Sequence, residues 1–329
     1  MQRTAKPDAL PKQRRRIAGR SVTFAAHKTN SQTPGMNKSG SRLPAFHGTG
    51  VALVTPFTPE LAVDYAGWRR LLDFCIEGGV DYLVVNGTTG ESPTTTAAEK
   101  TELLRVATEH VAGRVPLVYG IGSNDTAAAE EALRTTDLSG VAAILSASPS
   151  YNKPSQAGLV AHYTRLADAS PLPIILYNVP GRTASNITAE TTLRLAQHPN
   201  IIGIKEASGF LEQCLVIAAR KPNDFLLLSG DDLLTLALIA CGGEGIISVL
   251  ANAFPKRFAD FTRAALAGDF AAAREGLFHL LPLNPLMYEE SNPVGVKAVL
   301  EALGVCGAAV RLPLLEATEG LKDRIRKAL

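Results

Sequence analysis

Short apolar, β-branched runs recur along the chain from residue 49 onward, each followed by a small or polar turn and then an amphipathic stretch. The runs are GVALVTP (50–56), DYLVVNG (81–87), VPLVYGI (115–121), VAAILSA (141–147), PIILYN (173–178), IIGIK (201–205), FLLLSG (225–230) and GIISVL (245–250). Between them, spans such as 64–77, 97–112, 155–168 and 232–241 carry the apolar period of helices. Strands that are apolar throughout are buried on both faces, which marks a parallel sheet covered by helices. Eight such units predict an α/β fold, a closed (β/α)8 TIM barrel. The competing arrangement, an open doubly wound sheet, lacks its phosphate-binding motif. GIGSND (120–125) misses the third glycine of G-x-G-x-x-G, and no G-x-x-x-x-G-K-[ST] occurs. After the eighth run come helical stretches near 255–289, 293–304 and 315–327, of which a barrel needs only one. The chain therefore divides into a barrel over 47–268 and a C-terminal helical appendage over 269–329, whose default role is packing or subunit contact.

Residues 1–46 stand apart. They hold ten Lys/Arg against one acid, Asp8, and show no apolar period. The remaining 23 bases and 30 acids give the rest of the chain a net charge of −7, so the overall +2 is misleading. Nothing in the acidic part suggests a nucleic-acid surface. The basic stretch lacks the continuous apolar core of a secretory signal. It reads as a disordered tail or an over-extended start before Met36, with an organelle transit peptide as the remaining alternative. Cys75, Cys214, Cys241 and Cys306 show no C-x-x-C spacing, which fits a reducing cytoplasm, and no apolar run approaches the length of a membrane span.

In such barrels chemistry sits at the C-terminal strand ends. Those ends read NGTTGES (86–92), SPSYNKP (148–154), LYNVPGRT (176–183), KEASG (205–209) and SGDD (229–232). Hydroxyls, an arginine and Lys205 collect on one rim, and only Glu206 offers a nearby carboxylate. Strand alternation sends Glu206 to the opposite face. It puts Ile202 and Ile204 against the outer helices and turns Ile201, Gly203 and Lys205 inward, with Gly203 leaving space beneath the lysine. An ammonium there loses hydration, which favours the neutral amine that can attack a carbonyl. Taken singly, each residue has a blander role. Lys205 could snorkel into water, Tyr177 could be a core ring with a wet hydroxyl, and Arg182 a surface ion pair. Thr88 and Thr89 could cap a helix with Glu91 in a capping box. None of these roles explains why all collect at one end of one barrel.

GTTGE, YNVPGRT, GIKEASG and SGDD, in this order and spacing, resemble the pyruvate-dependent Schiff-base aldolase family over residues 47 to about 315. The resemblance implies a lyase that condenses pyruvate with L-aspartate-4-semialdehyde in lysine (diaminopimelate) biosynthesis. Lys205 would form the imine with pyruvate, and Thr88 and Thr89 would hold its carboxylate. Tyr177 would shuttle protons within a Thr88–Tyr177–Tyr151 hydroxyl relay, Tyr151 entering from a neighbouring subunit. Arg182 would meet the carboxylate of the second substrate, and Ile247 would place a backbone carbonyl near the lysine. The resemblance further implies a homotetramer built as a dimer of dimers and no cofactor. A metal site finds no support, since the six histidines show no H-x-x-x-H or H-x-H spacing and the protonated imine itself is the electron sink.

Two alternatives remain open from the residues. One is an aldolase joining pyruvate to a sugar-derived aldehyde, as in N-acetylneuraminate or keto-deoxy-sugar acid cleavage, although its polyhydroxylated substrate would call for more polar donors at these loops. The other is a catalytically silent relative acting as a small-acid sensor. Family members that respond to L-lysine bind it at a subunit interface with histidines, a glutamate and a tyrosine. The matching positions here hold Ala97, Lys100, Ala128 and Ser150, while Ser92 and Asn124 remain. Feedback is therefore expected to be weak, unless Glu130 or Glu131 replaces the missing carboxylate.

Overall fold

The computed structural model describes residues 43–329. The tail expected over 1–46 lies, apart from its last four residues, outside the described residues. Eight parallel strands close a barrel in sequence order: β1 (Gly48–Ala52), β2 (Tyr82–Val85), β3 (Leu117–Gly120), β4 (Val141–Ala147), β5 (Ile174–Asn178), β6 (Ile201–Glu206), β7 (Leu226–Ser229) and β8 (Gly245–Ser248). The seam joins β1 to β8 with Gly48 opposite Gly245. A Cβ on Gly245 would fall 2.1 Å from the Gly48 carbonyl oxygen, so the ring closes only around a glycine.

The helices that follow the strands are α1 (Tyr65–Glu77), α2 (Ala97–Val111), α3 (Thr126–Thr135), α4 (Gln156–Ala169), the single turn α5 (Pro180–Thr183), α6 (Ala189–Leu195), α7 (Leu211–Arg220) and α8 (Thr235–Ala240). Beyond β8 come α9 (Pro255–Leu266), α10 (Phe270–Leu280), α11 (Asn284–Tyr288), α12 (Val294–Ala302) and α13 (Glu319–Ala328). The sequence pattern merged 255–289 into one helix, but the chain breaks it twice. Gly268, at φ +80°, ends α9, and the Asp269 side chain accepts from the Ala272 amide to start α10. Pro285 sits in the first turn of α11, where its missing N–H costs nothing.

Two apolar layers follow from the alternation. Tyr82, Val84, Val118, Leu145, Ile175 and Leu228 fill the barrel, while a larger layer lies between strands and helices. Phe46, assigned to the tail by sequence, is buried in the inner layer and meets the Tyr82 ring edge-on at 5.6 Å. Gly50 makes room for Tyr82, since a Cβ there would lie 2.1 Å from its ring.

β6 departs from simple alternation. Ile174 faces Ile201 across the ladder, but Ile175 faces Gly203, so one residue of β6 is extra at that point. Ile201 consequently joins the outer layer and Ile202 packs toward the inner one, the reverse of the expectation. From Gly203 onward the period of two resumes. Ile204 faces the helices, and Lys205 faces inward beside Tyr177, its partner on β5.

Candidate active site

Lys205 is 4% exposed, and its ammonium stands 4.3 Å from the centre of the Tyr177 ring. Among the described residues no carboxylate pairs with it and no hydrogen bond ends on its nitrogen. Glu206 cannot serve. It points to the outer side, where its carboxylate accepts from the Asn178 amide group at 2.9 and 3.2 Å, from Gln213 Nε2 at 2.8 Å and from the Ser208 amide at 2.7 Å. A buried ammonium without a counter-ion is rare, because its desolvation is uncompensated. The space around it comes from an unexpected residue. A Cβ on Gly203 would strike Leu226, at 2.7 Å from its Cβ, so that glycine serves the neighbouring strand. Gly230, after β7, opens the room instead: a Cβ there would lie 3.0 Å from Lys205 Cε and 3.1 Å from Cγ.

Thr88 to Gly90 form a short 3-10 turn at the end of β2. Thr88 is half-buried and borders a cavity of about 800 Å³, together with Tyr119, Leu145, Ser148, Tyr177 and Arg182. Thr89 is buried, and its hydroxyl accepts from Asn292 Nδ2 at 3.1 Å. The capping-box alternative for this turn is not realised. α2 is capped by Thr96 with Glu99, while Glu91 turns inward to Lys297. Arg182, on α5, is exposed and unpaired with any carboxylate among the described residues; its Nη2 donates to the Asn292 carbonyl at 3.5 Å. Ile247 is fully buried on the inner face of β8, and no hydrogen bond joins its carbonyl to Lys205.

Tyr151 lies elsewhere. It is 89% exposed, at φ +69°, and does not border the cavity. No hydrogen bond links the hydroxyls of Thr88, Tyr177 and Tyr151 within the chain, so the relay is not assembled among the described residues. Thr88, Tyr177 and Arg182 thus border one cavity at the C-terminal end of the barrel and Lys205 packs against Tyr177, while Thr89, Ile247 and Tyr151 do not border it.

The sequence reading missed several neighbours. Asn292 reaches Thr89 across 203 positions, and the Asn-Pro pair before α12, the second in that stretch after Asn284-Pro285, was its only visible trace. Tyr288, at the end of α11, donates to buried Asp232 at 3.1 Å, and Asp232 also accepts from Ser248 Oγ at 2.6 Å. Burial raises the Asp232 carboxyl above its usual range, and burial together with that carboxyl raises the Tyr288 phenol. Tyr119 at the cavity edge is pushed up to about 12 by burial. The C-terminal helices are therefore part of the barrel mouth as well as an outer layer.

A parallel barrel with an uncompensated lysine facing a tyrosine, beside a hydroxyl-rich turn, is the construction of a Schiff-base aldolase. The family described as the dihydrodipicolinate synthetase family matches residues 45–329. The 4-hydroxy-tetrahydrodipicolinate synthase of Cytophaga hutchinsonii is 50% identical over 283 residues, covering 86% of this chain and 95% of that protein. Among solved structures, the chloride-inhibited dihydrodipicolinate synthase of Acinetobacter baumannii, complexed with pyruvate, superposes with a TM-score of 0.83 at 36% identity, covering 86% of this chain and 97% of that one. The enzyme of Cyanidioschyzon merolae with lysine bound gives 0.83 at 39% identity, with 86% and 97% covered. The chain belongs to the dihydrodipicolinate synthetase family.

Proposed function

We infer that this chain condenses pyruvate with L-aspartate-4-semialdehyde through a lysine Schiff base, giving 4-hydroxy-tetrahydrodipicolinate in lysine and diaminopimelate biosynthesis. Buried, unpartnered Lys205 carries the reading. Its amine adds to C2 of pyruvate, the carbinolamine loses water, and a protonated imine forms. A proton leaves C3, and the resulting enamine carbon attacks the aldehyde of the second substrate, whose oxygen takes up a proton. The amino group of the condensed chain then displaces the lysine from C2, closing the ring and freeing Lys205.

The other residues act around that nitrogen. Thr88 and Thr89, with the amides of their turn, hold the pyruvate carboxylate. Tyr177 moves protons onto and off the carbinolamine and enamine, which its position against Lys205 supports. Arg182, free of any acid among the described residues, takes the carboxylate of the aldehyde substrate. Ile247 offers its carbonyl near the lysine, and Tyr151 completes the relay from a neighbouring subunit in a homotetramer built as a dimer of dimers. A tyrosine 89% exposed in a left-handed backbone supports that assignment, since a bulky residue rarely holds this conformation without a use. Four free cysteines fit a reducing cytoplasm.

Incubation with pyruvate and borohydride tests the reading, since only a working imine adds irreversible mass. Turnover with aspartate semialdehyde, and none with sugar-derived aldehydes, separates it from the sugar-acid aldolases. Gly230→Ala provides a local check. The added methyl would sit 2.6 Å from Ala207 Cβ and 3.0 Å from Lys205 Cε. Overpacking of this kind costs about 1–3 kcal/mol, so the melting temperature should fall and the rate of pyruvate labelling should drop with it.

L-Lysine is expected to leave the activity unchanged at sub-millimolar concentration. Of the two residues that could replace the missing carboxylate, Glu130 is occupied by Arg134 and Arg165, each at 2.5 Å, and Glu131 is exposed on α3. Lys100 borders the cavity, burial lowers its pKa, and among the described residues no carboxylate forms an ion pair with it. An effector's ammonium would meet a cation and no counter-ion. Strong inhibition in an activity titration with L-lysine would refute this.

A further inference from the structure

Glu91 closes the Thr88–Gly90 turn in a left-handed backbone, φ +53°, and its carboxylate is buried. Both oxygens are filled from the far end of the chain. Lys297 on α12, fully buried, donates to Oε1 at 2.5 Å, and the Arg311 amide donates to Oε2 at 3.0 Å. The Lys297 ammonium also donates to the Ala309 carbonyl at 2.8 Å and lies 4.2 Å from the centre of the Phe57 ring. Five residues before it, Asn292 donates to Thr89 Oγ1, and the Thr55 hydroxyl donates to the Gly90 carbonyl at 2.6 Å. Every residue from Thr89 to Glu91 is thus held by a long-range contact, and two of the four holders, Asn292 and Lys297, come from α12 and the segment leading into it.

A clamp serving stability alone has no reason to concentrate on this turn. We propose that Lys297 and Asn292 are positioning residues, which through Glu91 and Thr89 aim the threonine hydroxyls and turn amides at the carboxylate of the first substrate. The inference rests on the carboxylate role given above to Thr88 and Thr89. Charge works in the same direction as geometry. Paired with Lys297, Glu91 presents no net charge beside the substrate carboxylate. Stripped of that partner, it would be a buried anion next to the place where an anion must bind.

The test is borohydride trapping by intact mass as a function of pyruvate concentration, on the full chain and on Lys297→Met and Asn292→Ala. Both variants are expected to raise the half-saturating pyruvate concentration about ten-fold, the scale of one lost buried hydrogen bond. The labelled fraction at saturation should remain that of the parent, because Lys205 is untouched. A purely structural role would do the opposite, lowering the labelled fraction with the folded fraction and leaving half-saturation unchanged. That result would overturn the proposal. Should Lys297→Met fail to fold, Asn292→Ala, which keeps the ion pair, decides by the same criterion. If the parent takes up no label at any pyruvate concentration, the site reading itself fails and this inference falls with it. If the parent is labelled and the variants match its half-saturation, only the positioning role is lost.

Discussion

Lys205→Ala and Lys205→Arg should both reduce the pyruvate label fixed by borohydride to background, and turnover with it. Alanine removes the nitrogen. Arginine restores a cation of similar reach, but a guanidinium stays protonated at any working pH and cannot add to a ketone. The pair of variants therefore separates charge from nucleophilicity. If Lys205 served only to attract the substrate carboxylate, arginine would keep part of the binding and part of the rate. The fold should survive both changes, because Lys205 forms no ion pair or hydrogen bond that its removal would orphan among the described residues. Alanine leaves a gap at the mouth of the barrel, next to an existing cavity. Intact mass after trapping, with a thermal melt as control for folding, checks the result. Label persisting in Lys205→Ala would mean that another amine carries the chemistry.

The strands were legible because burial on both faces removes polar residues from them, leaving runs that no helix period interrupts. Lys205 was legible for a narrower reason. Its inward orientation depends on Gly203, Ile204 and Lys205 alternating after the extra residue, and the irregularity falls upstream of them. Ile201 and Ile202 lie on its other side, and strict alternation assigned both to the wrong face. A bulge depends on how two strands pair, so one strand's sequence carries no sign of it. The same holds for the glycines. Which strand end presents a gap to Lys205 is set by the stagger of the barrel, and Gly230 just after β7, not Gly203 on its own strand, fills that role. The Lys297–Glu91 pair joins positions 206 residues apart, beyond the reach of any periodicity. A buried lysine in the apolar stretch leading through α12 was the available hint, and without its partner in view it reads as a snorkelling side chain.

Mixing two inactive proteins should restore activity if the site is shared. Tyr177→Phe keeps the ring against Lys205 and removes only the hydroxyl, so its kcat should fall by about 10²–10⁴, the range of a lost proton-transfer group. Tyr151→Phe should be impaired as well, although Tyr151 is 89% exposed and outside the cavity of its own chain. Consider a dimer with one subunit of each kind. The subunit that retains Tyr177 receives an intact Tyr151 from its partner, so that site is whole, while the other site lacks both hydroxyls. Random exchange at equal amounts makes half of the dimers mixed, each with one working site of two, so activity should return to about one quarter of the parent value. If Tyr151 instead served its own chain, each mixed dimer would hold one site lacking Tyr151 and one lacking Tyr177, and nothing would be recovered. Denaturing and refolding the two proteins together, then verifying the mixed species by native mass, makes the comparison direct. An absence of recovery in verified mixed dimers would leave exposed Tyr151 without a part in the chemistry, and the relay would have to end at Tyr177.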